Sequence, residues 1–397
     1  MLKALRVAAA LGIAAGCAVL PQPPASADDI RARQSGFLRV IEAEKAWRTT
    51  RGAGVTVAVV DSGVDANQAD LRGSVTTGPN MIKKIDGSAT PKRLHGTGMA
   101  SIIAGHGHGA GNASGVIGLA PQAKILAVRS IAEPEDTGYP RYKTSEDARE
   151  SVADGIRYAA DHGADVINLS LGNYDPDPGD RSAIAYAVQK NVVVVSAVGN
   201  DGTKQSKLDE NGFAPYSYPA SFFGVIGVTA TTPGGAHAPF ANKNYSAVVA
   251  APGVGLAVAG PGSSYYISDG TSDASAVVSG IAALIRARHR GLAPAVVAQA
   301  ILTSAQGGGY SPELGNGQVG AARALAAADR LAGAGAQTGL AAGRRFGSGD
   351  AGPVTVIHRP VWMRPLIVVV LVAGIGGAAV GLCVAVALLR RARATGP

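Results

Sequence analysis

The chain has 397 residues, is 47% hydrophobic and 16% charged, and carries a formal charge of +8 with only two cysteines. The basic excess excludes a nucleic-acid partner rather than implying one, because residues 1–27 hold +2 and residues 354–397 hold +5, leaving +1 on everything between. Cys17 and Cys383 lie in those same terminal stretches, so the body of the chain has no disulfide and must be stabilised by a core, for which about 300 residues suffice.

Residues 1–27 begin with Lys3 and Arg6, continue with an apolar run from Val7 to Leu20, and close on Ala25-Ser26-Ala27. This is the pattern of a secretory signal cut before Asp28. A lipobox ending at Cys17 is the alternative, with Ala14 a poor match at its first position. Residues 28–53 are too few for a core of their own and are predicted to run over the next domain as an arm, with a short helix from Ile41 to Trp47.

Val55 to Val60 is a continuous apolar, β-branched run that reads as a buried parallel strand, and it ends in Asp61-Ser62-Gly63. An acid therefore sits at the carboxyl end of a strand, where open α/β sheets keep their sites. His95 starts a small-residue helix running toward Gly105. His106 and His108 follow in a glycine loop, but no Asp, Glu or Cys converges on them in sequence, and no metal is predicted there. Ala123 to Val128 reads as a strand. Ile131 to Asp147 reads as a polar surface insertion near the cleft, Ala153 to His162 as a helix and Asp165 to Leu171 as a strand. Ser182 to Lys190 is a helix, Val192 to Val195 a strand that delivers Asn200 to its end, and Val225 to Ala230 a further strand. This alternation predicts an α/β domain, a parallel sheet with helices on both faces.

Ser268 to Ala276 passes from loop to helix at Ser272, with Thr271 as the predicted N-cap and the helix running to Arg290. A hydroxyl in that first turn lies beside unpaired N–H groups and the positive end of the helix dipole, which favour an anion forming next to it. Alanine-rich helices at Ala293 to Ser304 and Gly320 to Leu331 close the domain. Residues 333–365 are Gly- and Ala-rich at first and read as a linker. Leu366 to Leu389 is 24 residues without a charge, long enough to span a bilayer as one C-terminal transmembrane helix, and Arg390, Arg391 and Arg393 beyond it place the C-terminus inside.

Val-Val-Asp-Ser-Gly-Val-Asp at Asp61, His-Gly-Thr-Gly-Met-Ala at His95 and Gly-Thr-Ser at Ser272, in that order, resemble the subtilisin-like serine peptidases, the subtilases. The resemblance covers about Val40 to Ala327. It implies a subtilisin-like fold and a catalytic Asp61, His95 and Ser272, with Asn200 donating to the oxyanion. Ser170, Leu171 and Gly172 would be the backbone that pairs with a peptide or protein substrate; no cofactor is implied.

Two positions depart from the family pattern. Asp273 follows the serine where an apolar residue is usual, and Ala276 stands where proline is common. A carboxylate pointing at the oxyanion would oppose it, whereas one turned to the N–H groups of the first helical turn would favour the helix; the second orientation is expected.

The layout of signal 1–27, arm 28–53, peptidase domain 54–332, linker 333–365, span 366–389 and tail 390–397 resembles the mycosins, the membrane-anchored subtilases associated with type VII secretion. It implies an extracytoplasmic catalytic domain on a single-pass anchor in the cell membrane, a cytoplasmic C-terminus, and association with the secretion membrane complex. A domain serving mainly as a structural part of that complex is the alternative.

Overall fold

The computed structural model describes residues 27–333, together with 374–378, 380–382, 384–385 and 388. The chain divides into two units, 1–339 and 340–397. The first is built on a seven-stranded sheet. From one edge its order is Val75–Asn80, Lys124–Arg129, Thr56–Asp61, Val166–Leu169, Val193–Ala197, Val225–Thr231 and Val249–Pro252, and each neighbouring pair is parallel.

The strand ending at Asp61 shows why the central strands are apolar without alternation. Successive side chains point to opposite faces, and both faces are covered. Val57 and Val59 join the core that contains the helices Leu94–Ala104 and Thr271–Arg288, while Ala58 and Val60 join the core under Ser151–Asp161 and Pro178–Gln189. Each fully buried valine contributes about 1.5–3 kcal/mol, and a polar residue on either face would forfeit it. The helix Thr271–Arg288 is buried on every side from Ala274 to Arg286, as its run of small and aliphatic residues predicts.

Two expectations need correction. The arm is more than a short helix at Ala43–Trp47: residues Ala27–Val40 form a 14-residue helix before it. Ile30, Gln34 and Leu38 recur at helical spacing and are buried at 1%, 2% and 6% exposure, but the polar Gln34 hides that period from a hydrophobic reading. Gln34 is satisfied by Ile117, whose N–H it accepts at 2.9 Å and whose carbonyl it reaches at 3.3 Å. Secondly, the histidines of the glycine loop do acquire an acid in space. His108 Nδ1 lies 2.6 Å from Oδ1 of fully buried Asp70, whose other oxygen takes the Val116 N–H at 2.7 Å. Among the described residues no group of three or more His, Cys, Asp or Glu is placed to hold a metal ion.

The arm also ties that loop down with a charge. Arg31 donates to the Gly115 carbonyl at 2.9 Å, Asn112 at 3.2 Å and Ser114 at 3.3 Å, more than 80 residues away. Arg31→Ala should lower unfolding stability by about 1–3 kcal/mol, since carbonyls facing a charged donor lose it at once; denaturant titration of the variant against wild type measures this.

Candidate active site

Asp61, Ser170 and Asn200 all lie at or just past the carboxyl ends of neighbouring strands, and Ser272 and His95 open helices that start at the same edge. The site is thus the crevice that a doubly wound sheet offers where its strand order reverses.

Asp61 and His95 meet directly. Asp61 is fully buried, and its Oδ1 lies 2.8 Å from His95 Nδ1 and 2.6 Å from the Ser62 N–H. An Nδ1–H donating to the carboxylate leaves Nε2 as the acceptor. The contact depends on two glycines. An ideal Cβ on Gly96 would lie 2.2 Å from the Gly63 carbonyl oxygen, so only glycine lets the histidine helix approach the turn after Asp61, and Gly63 itself holds φ at +91°. The Gly96 N–H then donates to Ser62 Oγ at 3.0 Å.

The segment after Lys124–Arg129, expected as a surface insertion near the cleft, does line it and is also part of the site's frame. Glu133 is 5% exposed and accepts the first N–H groups of the histidine helix, Leu94 at 2.7 Å and His95 at 2.9 Å. It satisfies orphan donors at the positive end of the helix dipole. Glu133 is held in turn by Asp136, whose Oδ2 takes the Glu133 N–H at 3.0 Å and a bond from Arg129 at 3.0 Å. Arg129 clasps Asp86 with two bonds of 2.7 Å and the Ser62 carbonyl at 2.6 Å, and these carboxylates hold its guanidinium charged while it holds Asp86 below the usual carboxylate range.

Ser272 is the second residue of its helix. The helix starts after Gly270, so Thr271 is inside it and is not its N-cap. Thr271 instead positions Asn200: its N–H and hydroxyl both donate to Asn200 Oδ1 at 2.9 Å, which leaves the amide Nδ2 free as a donor. Ser272 and Asn200 line one cavity of about 280 Å³ together with Ser170, Leu171 and Gly172. These last three residues lie beyond the strand Val166–Leu169 and not within it, and they also wall a second cavity of about 460 Å³ that His95 lines. Ser272 Oγ donates to the Ser170 carbonyl at 3.1 Å.

A buried polar net that the sequence reading missed fastens the serine helix to the strand. Ser279 donates to Asn168 Oδ1 at 2.9 Å, the Asn168 amide donates to Ser170 Oγ at 3.0 Å, and Ser170 donates to the Ser272 carbonyl at 2.9 Å. Ser275 Oγ lies 2.7 Å from Ser170 Oγ, 2.9 Å from the Ser272 carbonyl and 3.4 Å from Asn168 Oδ1, with one proton to share among them. The signal was present as serines at 272, 275 and 279 on one face of an otherwise apolar helix, with one asparagine in an apolar strand.

Asp273 is 1% exposed and has a partner that neither expected orientation named. One oxygen accepts from Ser268 Oγ at 2.9 Å and the other has no hydrogen-bond partner. Burial pushes its carboxyl up to about 7, although Ser268, His95 and its own N–H pull the other way. Burial likewise opposes charge on His95, yet Asp61, with Asp273 and Glu133 also facing the ring, raises the imidazole to about 9.

The model for the subtilase family matches residues 52–335, and the chain belongs to that family of serine peptidases. Thermitase of Thermoactinomyces vulgaris is 36% identical over 252 residues, covering 63% of this chain and 81% of its own. Subtilisin E of Bacillus subtilis is 34% identical over 241 residues, covering 60% of this chain and 57% of its own. Among solved structures, the MycP3 protease from the type VII (ESX-3) secretion system superposes with a TM-score of 0.60 at 28% identity, over 73% of this chain and 88% of that one. MycP1 from Mycobacterium smegmatis gives 0.58 at 27%, over 73% and 84%.

Two outcomes follow from this geometry. Gly96→Ala must part the histidine helix from Asp61 and should cut kcat/KM on the order of 10²-fold while Ser272 stays in place, as steady-state kinetics would record. If His95 takes a proton in the reaction, kcat/KM should climb with pH toward about 9, since the protonated ring cannot accept one. Asp273→Met removes one anion facing the ring and should move that limb to lower pH. The same substitution should also stabilise more at pH 8 than at pH 5. A carboxyl raised in the folded state holds its proton below the folded value, so its favourable contribution is lost as pH rises from about 4 to about 7. Melting curves at the two pH values test this.

Proposed function

We propose that this chain is a membrane-anchored extracytoplasmic serine endopeptidase working by an Asp61–His95–Ser272 triad, and that it processes substrates of, and associates with, a type VII secretion system. The observation that carries the catalytic part is the 2.8 Å contact of His95 Nδ1 with buried Asp61, beside a cavity lined by Ser272 and a free Asn200 amide. In this reading a peptide lies along Ser170, Leu171 and Gly172. Ser272 Oγ attacks its carbonyl carbon and passes its proton to His95 Nε2, while Asp61 stabilises the imidazolium. The oxyanion is met by Asn200 Nδ2 and the Ser272 N–H at the helix start. The C–N bond then breaks with the proton going from His95 to the leaving amine, and water repeats the sequence to free the acyl group.

The anchored layout rests on the sequence: signal 1–27, arm 28–53, peptidase 54–332, linker 333–365, span 366–389 and cytoplasmic tail 390–397. No helix of the described residues is long and apolar enough to cross a membrane, and 366–389 lies largely outside them. What is described there supports the reading, since Ile375, Val380, Leu382, Val384 and Leu388 are each more than half exposed in helical stretches. The secretion link is supported by the likeness to MycP3 and MycP1. The alternative of a chiefly structural role has one observation on its side, the engagement of the Ser272 hydroxyl with Ser170 in place of His95.

A fluorophosphonate probe decides between them: Ser272 should be labelled in the folded chain and Ser272→Ala should not, whereas an unlabelled wild type would favour the structural role. Asn200→Leu should lower kcat by about 10²–10³-fold, the cost found for one such donor in subtilisin itself. A protease added to spheroplasts should reach the catalytic domain and spare the tail beyond Arg390; protection of the domain would reverse the topology.

A further inference from the structure

The two cavities that share Ser170, Leu171 and Gly172 differ in charge. In the first, the Asp201 carboxylate is already neutralised, accepting from Tyr174 Oη at 2.6 Å and pairing with Lys204 Nζ at 2.7 Å. The second is walled by Leu94, Ile131, Tyr139 and Tyr266 and carries two glutamates, Glu133 and Glu135. Both oxygens of Glu133 are consumed by backbone N–H groups. Glu135 is exposed and, among the described residues, has neither an ion pair nor a hydrogen bond. The nearest cations in sequence do not take it: Arg129 is held by Asp86, Asp136 and the Ser62 carbonyl, and Arg141 donates to the Lys84 carbonyl at 2.6 Å.

An apolar wall with one unpaired carboxylate fits a side chain with an aliphatic stem and a cationic head. We infer that Glu135 is a specificity-determining residue that selects lysine or arginine at one fixed substrate position on the His95 side of the cleft. The inference rests on reading the cleft as peptide-binding and names the class of peptide it takes. His95 lines this cavity while Ser272 lines the other, so the selected side chain lies next to the scissile bond and not at a remote exosite. Glu135 acts through a substrate side chain in water-accessible surroundings, so its discrimination should be modest, about three- to fivefold in kcat/KM for lysine over glutamine. It should fall further for glutamate, which meets an uncompensated like charge.

The test is cleavage-site sequencing of a proteome-derived peptide mixture digested by the full chain and by its variants. Wild type should enrich lysine and arginine at one position, Glu135→Gln should remove that enrichment, Glu135→Asp should keep most of it, and Glu135→Lys should shift the position toward acidic residues. Salt should weaken the wild-type preference and leave the Glu135→Gln profile unmoved. A wild type labelled at Ser272 by the fluorophosphonate probe but without a basic preference, or with one that survives Glu135→Gln, would overturn the inference while leaving the peptidase reading intact. Failure of labelling would overturn both.

Discussion

Everything at the site depends on how closely the backbone of the histidine helix can approach the turn after Asp61. A buried carboxylate with one oxygen shared by an imidazole and a backbone N–H is costly to desolvate, and the compensation arrives only if the ring is delivered to within a hydrogen bond. Gly96 makes that delivery possible by having no side-chain atom to strike the Gly63 carbonyl, and Gly63 by adopting the positive φ the turn requires. Ser62, between Asp61 and Gly63, is used twice, its hydroxyl holding the helix and its carbonyl holding Arg129. The small residues of the motifs therefore position the chemistry as directly as the charged ones.

Each of the other candidate site residues then has its own fastening. The histidine helix is pinned at its first turn by Glu133, the serine helix by hydroxyls converging on Asn168, and the asparagine amide by the backbone and hydroxyl of Thr271. These fastenings run through buried, bonded polar groups, so each is rigid and each would be expensive to leave half-made. The surplus of carboxylates around His95 is the electrostatic result. Asp61, Asp273 and Glu133 favour the imidazolium, the species that appears when a hydroxyl is deprotonated, and the same charges raise the pH at which the free base becomes available.

The strands, the two central helices and the placing of the candidate site residues at strand ends and helix starts were legible because apolar period and strand-end position are local properties. The sheet has the parallel form that the alternation of helix and strand predicts, and the helices at His95 and Ser272 begin within a residue or two of their expected starts. What escaped was set by contacts distant in sequence. Gln34 looks like a break in a helix until Ile117 satisfies it, Glu133 looks like surface until the histidine helix needs an anion, and Thr271 looks like a cap until Asn200 claims it. Asp273 was read as facing either the oxyanion or the N–H groups of its helical turn, and Ser268 on the preceding hairpin, which it accepts from, was in neither reading.

The clasp of Glu133 on the first turn of the histidine helix gives the segment from Ile131 to Tyr139 two duties at once, since the same stretch walls a cavity and holds the helix that carries His95. Loops that only line a cleft can be exchanged between relatives to retune what is bound, at little risk to the machinery beside them. Here such a graft would carry off the anion that seats His95 unless the acceptor and its Asp136 support travelled with it. Within that stretch, the cavity can be reshaped without disturbing the frame only at positions whose side chains take no part in it.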